Sequence, residues 1–488
     1  MCMRQSVVYC CLLLFLGGSV SAQAIDTLWT KYYGGTMYDS ATSVEETDDG
    51  GLIITGAFQH ETNHLFYIYL VKTDSAGDYE WSTTYGDTFG QTGNYVAEVS
   101  FGGYIIAGEK YTPDWLNNAY ILRVDDIGDT LWSYTYEAGE SGRALCVAET
   151  SDSGFIVSGG VFQSGNQFDL FMLKLDSLGD YEWDYKFDEG TYDFGHFVAE
   201  TSDGSFLAAG FSNDYSDSAY NYYLVKTDAD GNPLWRKRYG GLAHDACFEA
   251  AMVGDDGQIL LVGHSDSWVG NEALAVRTDA GGDTLWTRVY SGASDVYINS
   301  VDVTDDGGFI LGGTANIDGA ARQMFFLKIE ADGDSSWCKN VGGIDDEWGY
   351  SVRQLSDGNY VMVGRTESYG TTGDIYIVKL GEITTDVDDD NRPALPDRLT
   401  LEQNYPNPFN PSTGIDYMVP RRTSVRLTVY NILGQPMRTL VDEIKPAGRH
   451  SANWDGRDED NRLCPSGIYL YCLETGKFRS ARKMLLLK

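Results

Sequence analysis

The stretch "KTDSAGDYEW", residues 72–81, decides the fold. Asp74 and Gly77 are turn formers: an aspartate caps the amides that follow it, and a glycine takes a left-handed backbone at no steric cost. The flanks, "FYIYLVKTD" and "GDYEWSTTYG", are rich in aromatic and β-branched residues and read as strands. Two strands joined by so short a turn pair with each other. The stretch then recurs. Its tryptophan reappears as Trp29, Trp81, Trp132, Trp183, Trp235, Trp286 and Trp337, at spacings of 52, 51, 51, 52, 51 and 51 residues. A basic residue keeps the same beat as Lys72, Arg123, Lys174, Lys226, Arg277, Lys328 and Lys379. Glycine turns such as "DDGGLIITG", "DSGFIVSG" and "DGNYVMVG" fall between them.

Each unit holds four strand-like runs; in the first they are "ATSVEET", "GLIITGAF", "FYIYLVKTD" and "GDYEWSTTYG". No run has helical period. Four strands per unit of about 50 residues, repeated seven times, predict an all-β fold, a seven-bladed β-propeller over 26–382. The last unit stops at "IYIVKLGE" (375–382), without a turn or a tryptophan strand. Asp26-Thr27-Leu28-Trp29 repeats the "DTLW" of 129–132 and 283–286, so the N-terminal strand is expected to close the last blade. The repeated tryptophans are then wedges between blades. The turn resembles the Asp-box of sialidase-like propellers and the W-motif of quinoprotein-like propellers. That resemblance implies blade geometry only, because no arginine triad or cofactor motif accompanies it.

Composition narrows the function. Lys and Arg total 35 against 72 Asp and Glu, a formal charge of -37, which repels nucleic acid and anionic lipid. Arg4, the apolar run Val7 to Leu16 and the small residues Val20-Ser21-Ala22 predict a secretory signal peptide over 1–22. No later stretch has the ~20 apolar residues of a membrane span. Cys146, Cys247, Cys338, Cys464 and Cys472 follow the signal; their odd number and wide scatter predict isolated thiols.

Residues 383–399 form an acidic, proline-punctuated linker. Asp386, Asp388 and Asp390 alternate like the start of a calcium loop, but Asn391 stands where glycine is needed. Ca2+ is the one cofactor the acids suggest. Residues 400–488 alternate as short strands with glycine turns and predict a small Ig-like β-sandwich. This module resembles the C-terminal (type A, Por-like) sorting domain of bacterial type IX secretion substrates. The match runs through "LEQNYPNPFNPST" (401–413: Asn404, Pro406, Asn407, Pro408, Phe409, Asn410, Pro411), "VYNILGQ" (Gly434), "WDGRD" (Trp454, Gly456), "SGIYLY" (Gly467, Tyr469) and "RKMLLLK" (Lys483). Part of it is also similar to the Ig-like domain of flagellar hook-capping proteins. The sorting resemblance implies export by type IX-like machinery, with release or attachment at the outer cell surface.

"HETNH" (60–64) has the H-E-x-x-H spacing of a zinc peptidase. That chemistry needs both imidazoles on one helical face. Here the motif falls between two strands, so a loop without metal chemistry is expected. Loops between second and third strands, and between one blade and the next, share the face around the channel mouth. That face is expected to carry His60, His64, His244, Trp115, Trp268 and Trp348, with Asp39, Asp193, Asp245, Asp295 and Asp346 just before the inner strands. Aromatics among carboxylates suit an extracellular glycan or protein ligand. The leading expectation is a non-enzymatic binding or scaffold protein. A carbohydrate-active enzyme using mouth carboxylates and a purely structural surface protein are the alternatives.

Overall fold

In the computed structural model the described residues are 7–9 and 24–383, without 36, 115, 164–166, 214–218, 242, 255–256, 267–270, 292–294, 317–320 and 370–372. From 400 to 486 they omit 402–403, 405–408, 410–411, 420–422, 432–434, 446–447, 460–461 and 476–477. The chain divides into two compact units, 1–384 and 385–488.

The first unit is a β-propeller. Its described residues form seven antiparallel sheets, each with four consecutive strands in order except the last. The first sheet comprises Asp39–Glu46, Leu52–Gln59, Phe66–Thr73 and Tyr79–Tyr85. In the last, Ala24–Tyr33 pairs with Asp374–Ile383, beside Tyr360–Thr366 and Glu347–Gln354. The register runs from Ala24 opposite Ile383 to Tyr33 opposite Ile375. The fifth sheet carries an extra short strand: Val7–Tyr9, inside the expected signal segment, lies parallel to Val289–Ser291. An apolar extended segment there covers an open sheet edge.

A core lies between each sheet and the next. Ile53 and Leu70 meet Val96 and Ile106 between the first and second. Five further cores follow in order. The seventh joins Val361, Val363 and Ile375 of the last sheet to Val44 and Ile54 of the first, which closes the ring. Both faces of the middle strands are buried, which is why these runs are apolar without alternation. Each fully buried Ile, Leu or Val contributes ~1.5–3 kcal/mol.

The repeated residues have defined tasks. In the turn of the opening stretch, Asp74 Oδ1 accepts from the amides of Ala76 (2.9 Å) and Asp78 (2.8 Å), and Gly77 takes φ 74°. Six of the seven repeated tryptophans lie over the turn glycine of the next sheet: Trp29 over Gly77, Trp81 over Gly128, Trp132 over Gly179, Trp183 over Gly231, Trp235 over Gly282 and Trp286 over Gly333. Trp337, which faces the sheet closed by the N-terminal strand, packs on Tyr360 instead. The buried basic residue on the third strand reaches back to the aspartate of the glycine turn. Lys174 Nζ lies 2.9 Å from Asp152 and donates to the Leu175 carbonyl at 3.2 Å. Lys72, Lys226, Lys328 and Lys379 do the same with Asp49, Asp203, Asp306 and Asp357. In the second sheet the turn is kept but Phe101 stands where the aspartate does elsewhere, and Arg123 instead stacks over Phe101 and bonds backbone carbonyls.

In the second unit, Thr400–Leu401, Thr413–Val419 and Gly448–Trp454 form one sheet. Pro436–Lys445, Thr423–Asn431, Gly467–Thr475 and Phe478–Leu486 form another, in that order. They share one core with Phe409, Ile415, Val425 and Trp454. Asn404 is buried; its side chain donates to Thr413 Oγ1 (3.0 Å) and its amide to the Tyr471 hydroxyl (2.8 Å). Trp454 Nε1 donates to the Arg457 carbonyl (2.8 Å), and Gly456 takes φ 72° in that turn. Gly467 and Tyr469 begin one strand, where Tyr469 is buried, and Lys483 lies exposed on the last. Pro406, Asn407, Pro408, Asn410, Pro411, Gly434 and the acidic linker, with Asp386, Asp388 and Asp390, lie outside the described residues. The five cysteines among the described residues are free, and four are buried. Among the described residues no helix is long and apolar enough to cross a membrane.

Candidate functional site at the channel mouth

Every innermost strand carries a register shift at one residue: Thr42, Asn94, Leu145, His196, Phe248, Asn299 and Tyr350. A bulge re-aims the side chain that would otherwise follow the pleat. Here all seven line one cavity of about 250 Å³ at the centre of the ring. The polar members brace the next sheet. Thr42 Oγ1 donates to the Gly93 carbonyl (2.9 Å), Asn94 Nδ2 to Ala144 (2.9 Å) and Asn299 Nδ2 to Gly349 (2.7 Å). The others present rings and one leucine. His196 sits deep enough that burial pulls its pKa down to about 4, so the imidazole is neutral. Beside this ring, Arg353 pairs with Glu249 at 3.1 Å. Burial pushes Glu45 up to about 7.

Acids at the strand starts have a shared backbone role. Asp39 Oδ2 accepts from the Gly35 amide (2.6 Å), and its other oxygen accepts from Gln59 N (3.2 Å). Asp193 accepts from Glu189 N (2.8 Å) and Asp245 from Gly241 N (2.5 Å), each four residues upstream. In the last sheet Glu347 takes this place, accepting from Gly343 N (2.8 Å) and Thr366 Oγ1 (2.9 Å). Asp346, one residue earlier, accepts from the amide of Arg322 (2.8 Å). Asp295 accepts from Asn271 Nδ2 (3.0 Å). Asp39, Asp193, Asp245 and Glu347 are fully buried rather than solvated turn acids. Burial pushes Asp39 up to about 6 and Asp193 up to about 7.

His60 and His64 bracket a three-residue turn, not a helix. His60 Nδ1 faces the Thr62 hydroxyl at 3.0 Å, and His64 is in the left-handed region at φ 59°. Among the described residues, the acidic, histidine and cysteine side chains close enough to share a metal ion are Asp169, Asp188 and Asp193. His244 Nδ1 accepts from the Tyr220 amide (3.2 Å), with the two rings 4.8 Å apart. Trp348 lies against the Arg365 guanidinium, 3.7 Å from its ring centroid, with Arg322 at 5.8 Å. Trp115 and Trp268 lie outside the described residues.

An aromatic belt joins the third to the sixth sheet. Phe168 contacts Tyr192 and Phe194, Phe194 contacts Phe211, and Phe211 contacts His196, Phe248 and Tyr220. Phe248 then stacks on His264, which meets Tyr297. Tyr192 is 40% exposed, so the belt reaches solvent at that end. The sequence carried one signal for these residues: the bulge positions recur every 51 or 52 residues, on the beat of the tryptophans.

No protein-family model and no curated protein matches the chain. Solved structures show distant likeness. A protein of unknown function from Dyadobacter fermentans is 15% identical, covering 74% of this chain and 100% of its own, at TM-score 0.45. PorZ, described as an essential surface component of the type-IX secretion system of Porphyromonas gingivalis, is 10% identical over 90% of this chain and 69% of its own, at 0.33. The β-propeller domain of the Trilobed protease from Pyrococcus furiosus is 10% identical over 74% of this chain and 100% of its own, at 0.43. Likeness at this level carries no functional argument, and the propeller rests on its own sheets and cores.

Proposed function

We propose that the chain is an exported, non-enzymatic binding protein: a seven-bladed propeller whose channel mouth takes an extracellular glycan or protein, followed by an Ig-like sandwich that serves as a type IX-like sorting signal. One observation carries the binding reading. The bulge residue is repeated in position but not in chemistry, running Thr, Asn, Leu, His, Phe, Asn, Tyr around the cavity. A scaffold position that only holds the fold keeps its residue type, as the tryptophans do. A position that varies in chemistry at a fixed place is where a ligand is discriminated. The aromatic belt beside it supplies flat apolar surface suited to sugar rings or protein side chains. Support for binding over hydrolysis comes from the strand-start acids, which hold backbone amides and so have less freedom to serve as an acid–nucleophile pair.

The export reading rests on the sorting motifs, with the signal peptide supplying passage across the first membrane. It is tested by deleting 400–488 and following the propeller by fractionation. Retention inside the cell supports sorting, and undiminished appearance outside overturns it. The binding reading is tested on a glycan array and against surface-protein fractions, using the exported protein beside Phe248→Ala, Tyr192→Ala, Trp115→Ala and Trp268→Ala. Binding weakened at least about tenfold by Phe248→Ala or Tyr192→Ala, ~1.4 kcal/mol, is expected. Binding untouched by all four changes would remove the channel mouth from consideration.

A further inference from the structure

We infer that Asp169, Asp188 and Asp193 form a binding site for a hard divalent cation, Ca2+ by its donor set, where the third sheet crosses to the fourth on the channel-mouth face. One oxygen from each carboxylate lies within 4.8 Å of the others. An ion with oxygen ligands at about 2.3–2.6 Å bridges oxygens at that separation. The three residues come from separate places. Asp169 is on the strand Gln167–Leu175, Asp188 is in the crossing loop, and Asp193 opens the strand Asp193–Glu200. The fold, not local sequence, brings them together.

Two buried oxygens independently point to a ligand. Among the described residues, Asp169 Oδ1 and Asp193 Oδ1 have no hydrogen-bond partner, although the residues are only 6% and 0% exposed. An unpartnered buried carboxylate oxygen is costly, and native folds fill such positions. The comparison with the other strand-start acids is direct. Asp245 has a partner for both oxygens, in Gly241 N and Ser265 Oγ, and so does Glu347. At Asp193 the matching hydroxyl, Ser212 Oγ, lies by the carboxylate but is shared, with the Asn213 carbonyl at 3.3 Å and Arg238 Nη2 at 2.9 Å. The neighbouring cations act on these acids only through charge, at a distance, and also serve the backbone: Lys186 Nζ donates to the Ala138 carbonyl (2.9 Å), and Arg238 to the Glu189 carbonyl (3.2 Å). Asp188 is exposed and supplies the path by which an ion and its remaining waters enter.

All the donors are carboxylate oxygens, which suits Ca2+ over a softer transition metal. Calcium binding orders the crossing loop, where Tyr192 stacks on Phe168 at 5.9 Å and 22°. The site stands on its own geometry and does not depend on what the channel mouth binds.

The test uses the full exported chain with Ca2+ alone, by calorimetric titration and by melting with calcium or with EDTA. One ion per chain at this site and a higher Tm in calcium are expected. Asp169→Asn should weaken the affinity at least about tenfold and abolish the Tm shift. Because that change removes a buried charge, its melting point in EDTA should equal or exceed that of the parent, which separates lost binding from lost folding. Asp188→Ala, at an exposed position, should also remove the shift. No calcium-dependent shift in the parent chain, or a shift that survives both substitutions, overturns the site.

Discussion

Gly179 and Gly204 both hold a left-handed backbone, at φ 84° and 75°, but for different reasons. A Cβ on Gly179 would sit 2.6 Å from the Trp132 ring, whereas one on Gly204 would meet nothing within 4 Å. Gly204→Ala should therefore cost only the backbone term, ~1 kcal/mol. Gly179→Ala adds a clash with a large ring and should cost ~3 kcal/mol. Chemical denaturation of the two variants measures the difference directly. A second asymmetry lies in the repeated ion pair. The Lys174 side chain is 4% exposed and that of Asp152 is 57% exposed. Asp152→Asn leaves an ammonium group buried with weaker partners; Lys174→Met leaves a carboxylate in water. The first should be the more destabilising, by ~1–2 kcal/mol, after discounting for the exposed partner. Equal losses would mean that the lysine stem, not its charge, is what matters.

At the level of the strand, the outermost element clamps its neighbour twice. The tryptophan covers the next turn glycine, and in four of the seven repeats a tyrosine four residues later donates to that glycine's carbonyl. Tyr85 reaches Gly128 (2.6 Å), Tyr239 reaches Gly282 (2.6 Å) and Tyr290 reaches Gly333 (2.8 Å). Residues four apart share one face of a strand, so both contacts fall on the same neighbour. Tyr239→Phe should cost ~1 kcal/mol by thermal or denaturant melting. Strand positions, turn residues and closure by Ala24–Tyr33 were legible because each rests on residue types that repeat. The bulges were not. Thr42, His196 and Phe248 share a position and no chemistry, and a bulge is a property of backbone pairing rather than of side-chain type. The aromatic belt was hidden for a related reason: Phe168, Phe211 and Phe248 each read as ordinary strand residues, and only packing between sheets joins them. HETNH shows the converse, a motif whose spacing lost its meaning once a turn carried it.

Over the whole molecule, two sets of carboxylates push stability in opposite directions with pH. In the set held by buried lysines, hydrogen bonds from Thr47 and Lys72 hold Asp49 down to about 2, and those from Thr150 and Lys174 hold Asp152 down to about 2. The folded state binds fewer protons there than the unfolded chain does, so this stability is present above about pH 4 and is lost as pH falls towards 2. Asp39, Asp169, Asp193 and Glu45 are raised, to between about 6 and 7. There the folded state binds more protons, so stability declines as pH rises from about 4 through 7. The melting temperature should peak near pH 4–5. Scanning calorimetry across the range measures both limbs. Removing 24–33 should leave Asp374–Ile383 as an unpaired apolar edge, and chromatography should then show self-association and a broadened melt.

The pairing of Ala24 with Ile383 also has a mechanical meaning. Any pull that reaches the propeller from its downstream segment enters at Ile383, at the end of a strand flanked by two others. The load runs along the strand and is resisted in shear by two ladders at once, Ala24–Tyr33 on one side and Tyr360–Thr366 on the other. Many hydrogen bonds must then fail together rather than one after another. Tethered through that segment and dragged by flow, the ring would be loaded through a doubly flanked strand and not peeled open from an edge.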